Sequence, residues 1–253
     1  MKNLVLGILL LGLSAPPAFS GEHQPQESSG LAMDGAASLA IKFEGAGFSD
    51  EQKKLITDMV TEAERDVRTL LPTLPGDIEV TVIAMDRDAD IVGGVTGQAY
   101  APGKVQIEFS SVFPGGISAA AQKALTSTVF HEFHHLDRGW TIQENKFGPG
   151  IPIAAVNEGL AAVFSEEYTG EYFEAAYAYP DDADKWLEEI LALPRNADYS
   201  TWMMGVHPDG RNSIGYRVGR YIVHQASAHS GKSVLELSSL TPEEILRLAQ
   251  ASP

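Results

Sequence analysis

"ISAAAQKALTSTVFHEFHHLDRG", residues 117–139, decides how the rest of the chain is read. Val129, Phe130 and Phe133 recur at helical spacing, and Gly139 offers a stop, so the stretch predicts one helix from about Ile117 to Gly139. On that helix His131 and His135 stand four residues apart, about 40° around the axis and one turn along, which lets both imidazoles reach a single cation. Glu132 lies on a neighbouring flank, and His134 lies roughly 60° off His131 on the side away from Glu132, where it serves packing better than ligation. The competing interpretation is that these are ordinary polar residues near a helix end, where an imidazolium suits the negative pole of the dipole. The spacing H-E-x-x-H has a specific chemistry: two neutral imidazoles hold zinc while the glutamate activates a water.

Zinc in such a site takes a third protein ligand and keeps a fourth position open. The metzincin pattern fails, because Arg138 and Thr141 stand where it needs Gly and His, and a di-iron carboxylate site fails for want of a second Glu-x-x-His. "IPIAAVNEGLAAVFSEEYTG", residues 151–170, predicts a second helix and supplies Glu158, the one acid in an apolar run from Ile151 to Phe164. An acid buried in such company needs a partner, and Ala154, Ala155, Ala161, Ala162 and Ser165 on its helix permit close approach to the histidines. Glu144 and Glu166 are the alternatives for that ligand.

The combination of His131-Glu132-Phe133-His134-His135 with Asn157-Glu158-Gly159-Leu160-Ala161 resembles the gluzincin metallopeptidases. It is similar, more closely, to a bacterial family known as predicted zinc-dependent proteases (domain of unknown function 2268), which shares the doubled histidine, the E-G-L-A helix and a later Gly-Tyr helix, here "SIGYRVGRYIV" from Ser213. The similarity spans about residues 117–248. It implies His131, His135 and Glu158 as zinc ligands, Glu132 as general base, a peptide or protein substrate, and a zincin-like arrangement with a helical lower half beneath a small sheet. Gluzincins often carry an acid four residues after the ligand Glu to orient a histidine; here Ala162 occupies that position, so the partner of His131 stays unassigned. For the donor to the developing oxyanion, Tyr216 is the first candidate, with Gly215 and Gly219 leaving room beside it, and His207 in "GVHPDG" is the second. Tyr216 could equally be a half-buried ring bonded to a carbonyl.

Upstream, Leu39, Ile41 and Phe43 alternate as a strand, and Ser49 to Gln52 forms a capping box ahead of a helix ending before Pro72. Ile78, Val80, Val82 and Ala84 mark a second strand, and "GGVTGQAYAPGKVQIEFS" is a hairpin turning at Ala101-Pro102-Gly103, an edge on which an extended substrate could pair. Further helices are expected over 181–194, 213–231 and 241–249. The fold class expected is α+β, with a small mixed sheet and hairpin in the N-terminal half and helices in the C-terminal half, as one domain over 38–253.

The first residues, "MKNLVLGILLLGLSAPPAFSGEH", show one Lys, an apolar run from Leu4 to Leu13 and Ala18-Phe19-Ser20 before Gly21. That pattern predicts a signal peptide over 1–20, followed by a flexible leader over 21–37, and a periplasmic or secreted protein with no membrane anchor after cleavage. The chain has no cysteine, so no disulfide or lipid-modified cysteine can stabilise or tether it. A formal net charge of −16 argues against nucleic-acid or anionic-membrane partners, which need a basic footprint. A non-catalytic zinc-binding protein, or a partner-binding exported domain with an inert motif, remains the rival to a hydrolase.

Overall fold

A computed structural model describes residues 37–251; the expected signal peptide and all of the expected leader but Ala37 lie outside the described residues. The N-terminal half forms a four-stranded mixed sheet in the order β1-β2-β4-β3, with β1 Ser38–Glu44, β2 Asp77–Met85, β3 Val95–Ala101 and β4 Lys104–Ser110. β1, β2 and β4 run parallel, and β3 pairs antiparallel with β4 and forms one edge. Between β1 and β2 lies α1, Asp50–Leu70, whose Ser49–Gln52 capping box satisfies its first N–H groups.

Alternation decides which sheet face is covered. Ile78, Val80 and Val82 of β2 and Val105, Ile107 and Phe109 of β4 share the core with Ile56, Val60, Ala63 and Val67 of α1. The other face carries polar residues, among them the Lys42–Glu79 ion pair and Arg87, which donates to Glu108 at 2.9 Å. The mixed sheet followed by helices agrees with the sequence reading.

The expected single helix over 117–139 is divided. It comprises α2, Gly116–Ala120, a π-helical turn, Ala121–Leu125, and α3, Thr126–Arg138, closed by Gly139 at φ 74°. The irregular turn sits where the loop at Gly93 and Gly94 presses on it: a Cβ on either glycine would come within 2.9 Å of the Ala124 or Ala120 methyl. Such π-turns redirect the face that follows them, here the face bearing the histidines.

α4, Ile151–Thr169, runs through the middle of the helical half, buried along most of its length between α3 and α7, Ile214–Ser230. Short helices complete this half: α5 Glu174–Tyr177, α6 Ala183–Leu191, α8 Val234–Ser238 and α9 Pro242–Ala249. No helix among the described residues is long and apolar enough to cross a membrane.

The α4–α7 crossing is made by backbone meeting backbone. A Cβ on Gly159 would run into the Gly219 carbonyl group, and one on Gly219 would run into the Ala155 carbonyl oxygen. Gly219 therefore does not make room for Tyr216, as its sequence neighbourhood suggested, but lets α7 seat on α4; Gly215 in turn faces the Met203 side chain. Because Gly159 adjoins Glu158, this contact also sets the depth of that carboxylate. Gly219→Ala is expected to cost about 1–3 kcal/mol of stability by overpacking, read by calorimetry as a fall of about 2–4 °C per kcal/mol; an unchanged or higher midpoint would contradict the close crossing.

Candidate metal centre

α3 directs His131 and His135 inward, and α4 brings Glu158 to meet them. His131 Nε2 lies 3.0 Å from His135 Nε2, and each lies 3.1 Å from Glu158 Oε2. Glu158 is only 6% exposed. Hydrogen bonds alone do not satisfy this triangle, because each imidazole Nε2 either carries one proton or offers one lone pair, so at most two of the three edges can be bonded at once. The arrangement does suit a cation. Zinc bonds of about 2.0–2.1 Å imply ligand–ligand edges of roughly 3.3–3.4 Å in a tetrahedron, close to the separations here. These three residues are the group of His and carboxylate side chains among the described residues that could hold a metal, and no fourth joins them.

The three groups of the cluster are braced by neighbours. Trp140, the residue after the Gly139 stop, donates its indole N–H to Glu158 Oε1 at 2.9 Å, which leaves Oε2 turned to the imidazoles. Burial favours the neutral form of Glu158, but the opposing charges and hydrogen bonds of His135 and His131 outweigh it and hold the carboxyl well below its usual range. Ala162, where an orienting acid was sought, lines the cleft and offers nothing to His131. His134 turns away from the cluster. Its ring packs 5.1 Å from that of Phe164, and its Nε2 sits 2.8 Å from Ser238 Oγ, whose own hydroxyl donates to Val234 O. Nε2 must therefore be the donor; burial and the nearby Arg138 charge keep this imidazole neutral. Arg138 ties the end of α3 to α4 through Asn157 Oδ1 at 3.0 Å and to the end of α8 and the turn beyond it through the Ser238 and Leu240 carbonyls.

Glu132 is pressed beneath the edge strand. A Cβ on Gly97 would stand 2.7 Å from Glu132 Oε1, so only glycine permits this approach. Burial pushes the Glu132 carboxyl up to about 7, against the lowering effects of His131 and of the Ala99 N–H that faces it. A cleft of about 150 Å³ opens here, lined by His131 and Glu132, by β3 from Val95 to Gln98, and by Tyr177 and Tyr216. The hydroxyls of both tyrosines lack a hydrogen-bond partner within the described residues, and burial, reinforced by Glu158, raises both pKa values, so each remains a neutral O–H donor. The structure thus brings His131, Glu132 and Tyr216 to one cleft, with His135 and Glu158 behind His131.

The remaining sequence candidates do not join the trio. His207 packs on Trp202 at 4.6 Å between ring centroids, with Nδ1 2.9 Å from Asp209, and does not line the cleft. Glu166 is held by two bonds from Arg220, and Glu144 is exposed in the loop after α3. Trp140 and Tyr177 were not found from sequence. Trp140 carried one usable signal, an aromatic donor directly after the stop of the histidine helix, whereas Tyr177 lies in an irregular stretch with none.

A family model described as predicted Zn-dependent protease (domain of unknown function 2268) matches residues 56–247. No curated protein and no solved structure matches the chain. The match supplies the metal that the family description names, and the buried trio is a group able to bind it. Trp140→Phe removes the donor to Glu158 Oε1 but keeps an aromatic ring. Zinc affinity measured by chelator competition is expected to fall about 10–100-fold; unaltered affinity would show that the indole does not orient the ligand.

Proposed function

We propose that this chain, which belongs to the predicted Zn-dependent protease family, is an exported metallopeptidase whose zinc is held by His131, His135 and Glu158. The observation that carries the reading is the convergence of two imidazole nitrogens and one carboxylate oxygen at 3.0–3.1 Å beside a cleft that His131 lines. Zinc bound there would supply Lewis acidity, polarising a substrate carbonyl and activating water.

The protein's own groups account for the rest of the chemistry. Glu132 accepts the proton of the attacking water on its carboxylate and passes it to the departing amide nitrogen. Its position suits the task, because Gly97, lacking a side chain, lets the carboxyl lie directly against the strand edge in the cleft. Tyr216, with a neutral hydroxyl and no internal acceptor, donates to the oxyanion, and Tyr177, its ring 6.0 Å away, stands ready beside it. His207 receives no part in this scheme, since its ring packs on Trp202 and does not line the cleft. The edge of β3 offers backbone groups to an extended substrate, consistent with a peptide or protein as the material cleaved.

Export rests on the sequence pattern of residues 1–20, and residues 38–253 are taken as one domain. The mature protein should then begin at or near Gly21 when recovered from the cell envelope or medium; an intact Met1 terminus there would oppose export by cleavage. Glu132→Gln is expected to retain stoichiometric zinc while peptide hydrolysis falls at least about 100-fold. Glu158→Ala is expected to lose the zinc. A zinc-loaded parent that hydrolyses peptides no faster than Glu132→Gln would reject the catalytic role and leave a zinc-binding protein.

A further inference from the structure

The edge of β3 is open over only part of its length. Ser110 N–H bonds to Gly94 O, so in the antiparallel ladder the backbone groups of Thr96 and Gln98 turn toward β4, and those of Val95, Gly97 and Ala99 turn outward. At the Ala99 end those outward groups are already taken. Ile142 N–H donates to Ala99 O at 3.0 Å, Gln143 N–H donates to Tyr100 O at 2.9 Å, and Ala99 N–H faces the Glu132 carboxylate.

The covering segment is firmly anchored. Gln143 Nε2 donates to the Tyr100 hydroxyl at 2.8 Å, and Thr141 Oγ1 donates to Gln143 O at 2.5 Å. One residue earlier, Trp140 holds Glu158. Residues 140–143 therefore form a cap over the strand edge, fixed to the metal centre on one side and to β3 on the other. Among the described residues, the outward groups of Val95 and Gly97 have no backbone partner and border the cleft.

We propose that this cap makes the protein an amino-end peptidase, one that removes single residues or short pieces from the amino end of an extended peptide; the proposal rests on the peptidase reading above. Glu132, which marks the reacting bond, lies beneath Gly97, so the open edge extends from the reacting bond in one direction only, toward Val95. Antiparallel addition, the slightly more stable pairing, sets the peptide's carboxyl portion along Gly97 and Val95 and its amino end against the cap. Pairing in the opposite sense would bring a free carboxylate to the Val95 end. The cationic side chain that lines the cleft there, Arg87, already pairs with Glu108 at 2.9 Å, and Ile91, Val92 and Phe173 make the surroundings apolar. That end suits the uncharged continuation of a chain better than a carboxylate terminus.

The test incubates the zinc-loaded, full-length mature protein with one peptide core lengthened residue by residue at either end, and locates each cut by mass spectrometry. The bond cut is expected to move with residues added at the amino end and to stay fixed when residues are added at the carboxyl end. Cleavage of the same core bond whatever the amino-end length would overturn the proposal and leave the peptidase reading standing; hydrolysis of no peptide would overturn both. Ile142→Pro removes the N–H bonded to Ala99 O at a 61% exposed position, so the fold is expected to survive. Its ratio of internal to amino-end cleavage is expected to rise by up to about tenfold, the value of one hydrogen bond; a ratio equal to the parent's would also overturn the proposal.

Discussion

An ionised carboxylate withdrawn from water costs several kcal/mol unless it is met by opposite charge and well-aimed donors. Glu158 is such a group, and much of the helical half is arranged to hold it in place. One oxygen is engaged by the Trp140 indole, and the other faces two imidazole nitrogens at equal distance. The depth of the carboxylate follows from the glycine-to-glycine seating of α7 on α4, one residue away. The direction of the histidines follows from the π-turn that ends where α3 begins, and the position of Trp140 follows from the left-handed stop at Gly139. A triangle of atoms that cannot all hydrogen-bond to one another is a strained solution for a metal-free core and a natural one for a cation.

The charge of −16 does not carry into the cleft as open acid. Glu171 pairs with Lys123, Glu166 with Arg220 and Glu108 with Arg87, and the two remaining acids near the centre, Glu132 and Glu158, are buried beneath β3 and behind His131. What the cleft presents is a strand edge, apolar side chains and neutral phenols. The acidity therefore belongs to the exterior and says little about substrate.

Local pattern made a large share of this legible in the sequence. The four-residue spacing put His131 and His135 on one face, and Glu158 stood out because an acid is out of place in an apolar helix. Alternation located the strands, and the Ser49 capping box located the start of α1. Contacts between distant segments were not legible. Gly97 looks like hairpin chemistry until Glu132 is found beneath it, and Gly219 looks like space around Tyr216 until α4 is found against it. The parallel pairing of β1, β2 and β4 depends on crossovers that alternation does not encode. Trp140 and Ile142 sit in an irregular segment whose significance comes from partners far along the chain: Glu158 in one case and Ala99 in the other.

The central claim is that His131, His135 and Glu158 together bind one zinc ion and leave it accessible from the cleft. X-ray absorption at the zinc edge of the purified protein tests this most directly. The expected spectrum shows one zinc per chain with two imidazole ligands and light oxygen donors, and loses imidazole scattering in His135→Ala. A zinc-free protein after metal reconstitution, or a coordination shell unchanged by substitution of either histidine, would contradict it.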